Sequence, residues 1–316
     1  MTMTTLNACF YSRGMLARDG WESVVDGQLP GWRHTGLRVA ALDGGELTLP
    51  PDPVERIVVP LNGSFMVTHD AARTWLTGRE RVFDGPTDVL YVGTRTQLRI
   101  SGRGRVAVAA APTTITRPAQ YLPAAAVPVE IRGADRDSRQ VHNFGTPEAL
   151  DAAALIACEV ITPAGNWSSH PAHKHDEAIP GVESVLEEIY YFEVAAARGS
   201  GAPANADPFG SFATTSSPAG LIETRALVRS GDIALVPYGY HGPAAAAPEF
   251  DLYYLNVMAG PGAERRWLFT DDPRQAWIRA SWERGSPDRR LPYCQVRPAG
   301  GESGNQDGVR QPGGER

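Results

Sequence analysis

Cysteine is scarce in this 316-residue chain: Cys9, Cys158 and Cys294 are scattered and odd in number. That excludes a disulfide framework, offers no cysteine-based metal spacing and fits a reducing cytoplasm. No apolar run approaches the roughly 20 residues of a membrane helix. The first residues lack a basic segment followed by an apolar one, since Arg13, Arg18 and Asp19 interrupt any such pattern, so no leader is expected. A basic excess is missing too: the net charge is −6, and no basic recognition helix is visible. Nucleic acid and anionic membrane surfaces are therefore not expected partners. Glycine (33) and proline (26) are plentiful and punctuate short strands with turns. A chain of this length buries one large or two medium cores.

Residues 1–25 read as an irregular lead-in. From Gly31 onward short β-prone runs alternate with turn signals, Asn62-Gly63 being a strong hairpin signal. Strands at this spacing with few helical stretches predict a sandwich or barrel. The Pro- and Ala-rich segment 111–128 reads as a connector. A helix is expected over 148–154, a strand over 155–161, and a helix starting within 271–278 behind an acidic cap. Beyond Pro298 apolar residues nearly vanish, and disorder is expected. Asp88-Val89-Leu90-Tyr91-Val92-Gly93 lies without gaps on Asp232-Ile233-Ala234-Leu235-Val236-Pro237, which predicts two similar domains. In that register Gln97 falls opposite His241, and the first half has no H-x-H, so a metal site is expected only in the second. The expected division is 26–125, 126–280 and a C-terminal extension with tail, 281–316.

Three of the seven histidines, His170, His173 and His175, fall within six residues. On a strand His173 and His175 face one way and Lys174 the other, toward solvent. Two imidazoles, plus a carboxylate where the aromatic run Ile189-Tyr190-Tyr191 begins, make three ligands for a borderline divalent metal. A fourth, His241, follows the strand and turn Gly231-Asp232-Ile233-Ala234-Leu235-Val236-Pro237-Tyr238-Gly239-Tyr240. His34, His69 and His142 read as structural or surface histidines.

H-x-H, then Glu, then G-x5-P-x-G-x-H resembles the two signature motifs of the cupin superfamily. That resemblance implies an all-β bicupin of two tandem jelly-roll barrels, with His173, His175, Glu188 and His241 as metal ligands. Glu188 is preferred to Glu187 because the family's glutamate directly precedes the apolar-aromatic strand. A narrower resemblance covers about residues 25–280. Its segments include Gly31-Trp32-Arg33-His34-Thr35-Gly36-Leu37, Pro171-Ala172-His173-Lys174-His175-Asp176, Leu186-Glu187-Glu188-Ile189-Tyr190-Tyr191 and Asp251-Leu252-Tyr253-Tyr254-Leu255-Asn256-Val257-Met258-Ala259-Gly260-Pro261. Together these resemble the 5-deoxy-glucuronate isomerase family of myo-inositol catabolism, relatives of the 5-keto-4-deoxyuronate isomerases.

The resemblance implies an aldose–ketose isomerisation of 5-deoxy-D-glucuronate to 5-dehydro-2-deoxy-D-gluconate, with a small sugar acid as the partner molecule. One divalent ion, zinc or manganese ahead of iron or nickel, would polarise adjacent substrate oxygens while a base removes the C2 proton. Glu187, Tyr254, His170 and a metal-bound hydroxide are the candidate bases. Arg139, Arg225 and Arg266 are the candidates for the substrate carboxylate, which a guanidinium binds bidentately. A homo-oligomer is compatible with a scaffold-like first domain. The alternatives are another metal-dependent cupin enzyme, such as a related uronate isomerase or an iron dioxygenase, and a non-catalytic sugar-binding cupin.

Overall fold

The computed structural model describes residues 6–293, almost wholly antiparallel β. One sheet, from the first half, runs in the order Ser23–Val25, Gly36–Leu49, Leu98–Pro112, Val54–His69, Val89–Val92, Gln120–Leu122, with Ala72–Arg79 paired to Val54–His69. A second runs Phe10–Tyr11, Ile233–Val236, Glu187–Ala196, Phe250–Ala259, Ile156–Thr162, Arg139–Gly145, Val129–Arg132. The third runs Gly220–Val228, Gly210–Ser217, Tyr240–Ala246, His173–Lys174, Thr270–Asp271.

Strand alternation builds the molecule around the second sheet. Ile189, Tyr191, Tyr253, Leu255 and Val257 join Val39, Ile57, Val59 and Ala107 in the core between the two halves. The residues between them, Tyr190, Phe192, Tyr254 and Met258, face the third sheet and pack with Phe212 and Ala244 inside the second barrel. The first half keeps its own interior of Val58, Phe65, Leu90 and Val106. The fold is thus a bicupin whose central sheet has an apolar core on each side.

Buried ion pairs cross between the halves. Arg79 holds Glu159 bidentately at 2.7 and 2.6 Å, and His142 and Tyr253 complete that carboxylate's partners. Two glutamates reach across in opposite directions. Glu55 of the first half accepts the backbone N–H groups of Ala153, Ala154 and Leu155, while Glu187 of the second accepts those of Arg33, His34 and Thr35.

Several expectations are corrected here. The lead-in is mostly turns, as expected, but not wholly irregular: Phe10–Tyr11 pairs with Ile233 and Ala234 of the second half, and Ser23–Val25 joins the first sheet. Asn62-Gly63 makes no hairpin but a bulge within one long strand, with Asn62 Oδ1 accepting from Arg105 N. Gly63 has φ +77°, and a Cβ there would meet Arg103 O at 1.9 Å, so only glycine fits the bulge. The segment 111–128 is only partly a connector, since Gln120–Leu122 pairs with Val89–Val92. No helix forms over 148–154. Glu55 takes the N–H groups of Ala153 to Leu155, and the Arg265 guanidinium takes the carbonyls of Gly145, Leu150 and Leu155, so tertiary bonds override alanine's propensity. The late helix is Trp277–Trp282, after a turn on Asp272. The tail expected to be disordered lies outside the described residues. No helix among the described residues is long and apolar enough to cross a membrane.

Candidate metal centre

The strand His173–Lys174 pairs with Tyr240–Ala246 so that His173 stands directly opposite His241, and His175 follows two residues on. Glu188 enters from Glu187–Ala196 on the barrel-facing side, the face of Tyr190 and Phe192. The structure brings His175, Glu188 and His241 together, all buried, with one ligand atom of each within 4.8 Å of the others. His173 is not in that set: its ring stands 4.5 Å from His241 and 6.5 Å from His175.

Each imidazole has its Nδ1 at a backbone carbonyl: His175 at Leu186 O (3.0 Å), His241 at Gly239 O (3.2 Å) and His173 at Pro171 O (3.3 Å). Those bonds place hydrogen on Nδ1 and leave the lone pair on Nε2. Two such Nε2 atoms then face one Glu188 oxygen at 3.0 and 3.1 Å. Acceptors facing an acceptor in a dry interior call for a positive charge between them. His241 Nε2 is moreover buried without a hydrogen-bond partner. The donor set and the orphaned nitrogen fit a divalent metal ion.

Around this cluster lies a polar and aromatic layer. Ser169 Oγ sits 3.1 Å from the Tyr190 hydroxyl and 3.3 Å from that of Tyr254, and burial raises both phenols. His170 Nδ1 lies 2.7 Å from Asp137 Oδ1, and the ring packs on Trp167. Asp137 also accepts from Trp282 Nε1, and Arg139 and Arg279 both stack on the Trp282 ring. Arg139 is buried and, among the described residues, donates only to the Asp137 carbonyl. Burial pushes its guanidinium down to about 10, so it stays charged at neutral pH. Phe269 links His173 to Arg279. A cavity of about 550 Å³ between segments 178–186 and 260–268 lies behind Leu186, apart from the cluster.

Other candidates fall elsewhere. Glu187 points into the interface between the halves, where Arg33, His34 and Thr35 occupy its carboxylate, so it does not face the cluster. Arg225 lies on the outward face of Gly220–Val228, 72% exposed and paired with Glu223; Arg266 is also exposed and paired with Glu264. Lys174, the chain's single lysine, turns away from the histidines as alternation requires, but it is buried rather than solvent-facing. Its ammonium is gripped by Asp176, Glu177 and Glu183, which fills that acidic cluster. The sequence reading missed Asp137, Phe269, Arg279 and Trp282. They reach the site through a short C-terminal helix and long-range contacts, and no local spacing announces them.

Residues 10–278 match the profile of the KduI/IolB family. The chain belongs to the KduI/IolB family. Among relatives of this family member, proteins named 5-deoxy-glucuronate isomerase from Geobacillus kaustophilus and Geobacillus thermodenitrificans are 38% and 36% identical, each alignment covering 79% of this chain and 88% of the relative. The crystal structure of an IolB-like protein from Salmonella typhimurium LT2 superposes with a TM-score of 0.76 at 32% identity, over 85% of this chain and 98% of that one. An oxalate decarboxylase from Lactobacillus farciminis shares the KduI/IolB member's fold at a TM-score of 0.59 and 10% identity, over 85% and 90% of the two chains.

Proposed function

We propose that this protein is a metal-dependent aldose–ketose isomerase that converts 5-deoxy-D-glucuronate to 5-dehydro-2-deoxy-D-gluconate. The observation that carries the reading is the meeting of His175, His241 and Glu188 as acceptors around one point, in a family whose relatives bear that isomerase name. His173, whose ring stands 4.5 Å from that of His241, would join them as the fourth ligand, and zinc or manganese is the expected ion. Bound there, the ion supplies Lewis acidity toward the sugar's carbonyl and adjacent hydroxyl oxygens.

The chain's own groups do the rest. His170, with Nδ1–H given to Asp137, keeps Nε2 free to take the C2 proton and return it at C1. Tyr254, held protonated by burial, is a hydrogen-bond donor rather than a base. Arg139 is the anchor for the substrate carboxylate, since it is the buried candidate arginine without a carboxylate partner of its own.

The test is proton NMR of 5-deoxy-D-glucuronate in D2O, with enzyme before and after chelation. Loss of the aldose signal, deuterium next to the carbonyl and abolition by chelator are expected. No conversion by folded, metal-loaded protein would remove this reading. Oxygen uptake would then point to the dioxygenase alternative.

A further inference from the structure

Two buried side chains beside the metal cluster have polar atoms that nothing in the protein satisfies, Asn256 Nδ2 and Thr214 Oγ1. Asn256 lies in Phe250–Ala259 between Tyr254 and Met258, both on the face that lines the second barrel. Its direct partners on the adjacent strands are Cys158 and Tyr190, which line the same interior. Glu188 is one pleat away from Tyr190 on that neighbouring strand, a diagonal relation of roughly 7–8 Å between strands. Thr214 stands directly opposite His241, two residues after Phe212 of the same interior. Unpartnered polar atoms from three strands, His241 Nε2 among them, therefore belong to the interior side of the second barrel.

An interior strand position flanked by Tyr254 and Met258 suits leucine by volume, and an asparagine there gives up hydration without a bond in return. The desolvation is recovered when a ligand brings an acceptor. We propose that Asn256 and Thr214 are substrate-binding residues of the metal centre. Asn256 donates from Nδ2 to the substrate oxygen on which negative charge grows as the C2 proton leaves, and the Thr214 hydroxyl bonds a neighbouring substrate hydroxyl. Neither residue exchanges a proton with carbon: the electron pair of the C2–H bond becomes the C1–C2 double bond, the former carbonyl oxygen takes the charge, and Asn256 holds it. A neutral amide preorganised in a dry site suits that oxygen better in the transition state than in the bound aldehyde.

This inference rests on the isomerase reading, and two measurements separate them. Asn256→Leu, with metal content and melting temperature checked, is expected to keep its metal and fold and to lose about 10²-fold in kcat with little change in KM. Thr214→Val is expected to lose about threefold to tenfold in kcat/KM. Wild-type kcat/KM in metal-loaded Asn256→Leu overturns the assignment. If the metal-loaded wild type does not turn over 5-deoxy-D-glucuronate, the isomerase reading falls, and calorimetric titration with D-gluconate, an unreactive open-chain hydroxy acid, decides. Binding at least tenfold weaker in Asn256→Leu upholds the contact. Equal affinities, or no binding by the wild type, overturn it and leave the two side chains to ordered water.

Discussion

The two halves of the molecule hold the same position in opposite ways. Val92 pairs with Arg56 in the first half, and Val236, its counterpart in the internal repeat, pairs with Glu188 in the second. Arg56 therefore occupies the place of Glu188. The residues before them, Glu55 and Glu187, correspond as well, and each grips three N–H groups of the other half. The interface is thus a reciprocal clasp, while the two cups differ. In the first, the buried Arg56 guanidinium donates to the carbonyls of Pro50 and Thr96. A fixed cation, covalently part of the chain, stands where the second cup gathers a carboxylate and imidazoles around a place for an exchangeable one. The lesson is that a repeat can keep its clasp and exchange one charge for its opposite, and so turn a binding cup into a plug.

The sharpest way to break the comparison is to abolish the exchangeable site. Glu188→Gln removes the central negative charge, and both bound metal and turnover are expected to fall by more than about 10³-fold, read by elemental analysis and NMR. Full metal occupancy in that variant would end the distinction between the cups. Next, His170→Ala should lower kcat by about 10²–10⁴-fold while metal content stays at the wild-type level. Loss of metal together with activity would make His170 part of the metal centre and leave the base unassigned.

The candidate cluster of His175, Glu188 and His241 was legible because its determinants are local. H-x-H marks the stretch that brings in His175, although His173 stands outside the set, and Glu188 and His241 sit at strand edges marked by aromatic and Gly/Pro signals. Three-dimensional partnership was not legible. Glu187 has every local mark of an active-site carboxylate, yet alternation turns it into the interface, where groups over 150 positions away occupy it. Lys174 read as a surface residue because Asp176, Glu177 and Glu183 look like solvated charges until the loop folds back on it. The match of Arg56 with Glu188 was hidden by connections of different length between paired strands, which defeat a gapless alignment.

Effects on stability come next in size. Burial raises the Glu159 carboxyl, but Arg79 and the His142 hydrogen bond outweigh it and hold it at about 2. A folded value depressed below the ordinary 4.5 contributes stability that is complete above that pH and is lost as pH falls through about 2. Glu159→Gln should cost about 3–5 kcal/mol by leaving the Arg79 charge unpaired, and should flatten the acid limb of the stability curve. An unchanged acid limb would show that the halves are not joined through this pair. Glu187→Gln should cost about 1–3 kcal/mol and leave kcat within about twofold of wild type. A loss of 10²-fold or more at full metal content would restore Glu187 as the base.

The smallest effect on turnover is expected where the comparison began. Burial lowers the Arg56 guanidinium's affinity for its proton, yet two backbone carbonyls and the nearby Asp52 carboxylate keep a cation the better occupant. Arg56→Met fills the volume but leaves the carbonyls of Pro50 and Thr96 without a donor, a cost of about 1–3 kcal/mol in denaturant unfolding, with turnover per folded molecule unchanged. Because the plug acts only within its own barrel, metal content should not move either. If Arg56→Met instead lowers metal occupancy in the second cup, the clasp of Glu55 and Glu187 transmits strain between the halves, and the first barrel is part of the metal site's support rather than a sealed neighbour.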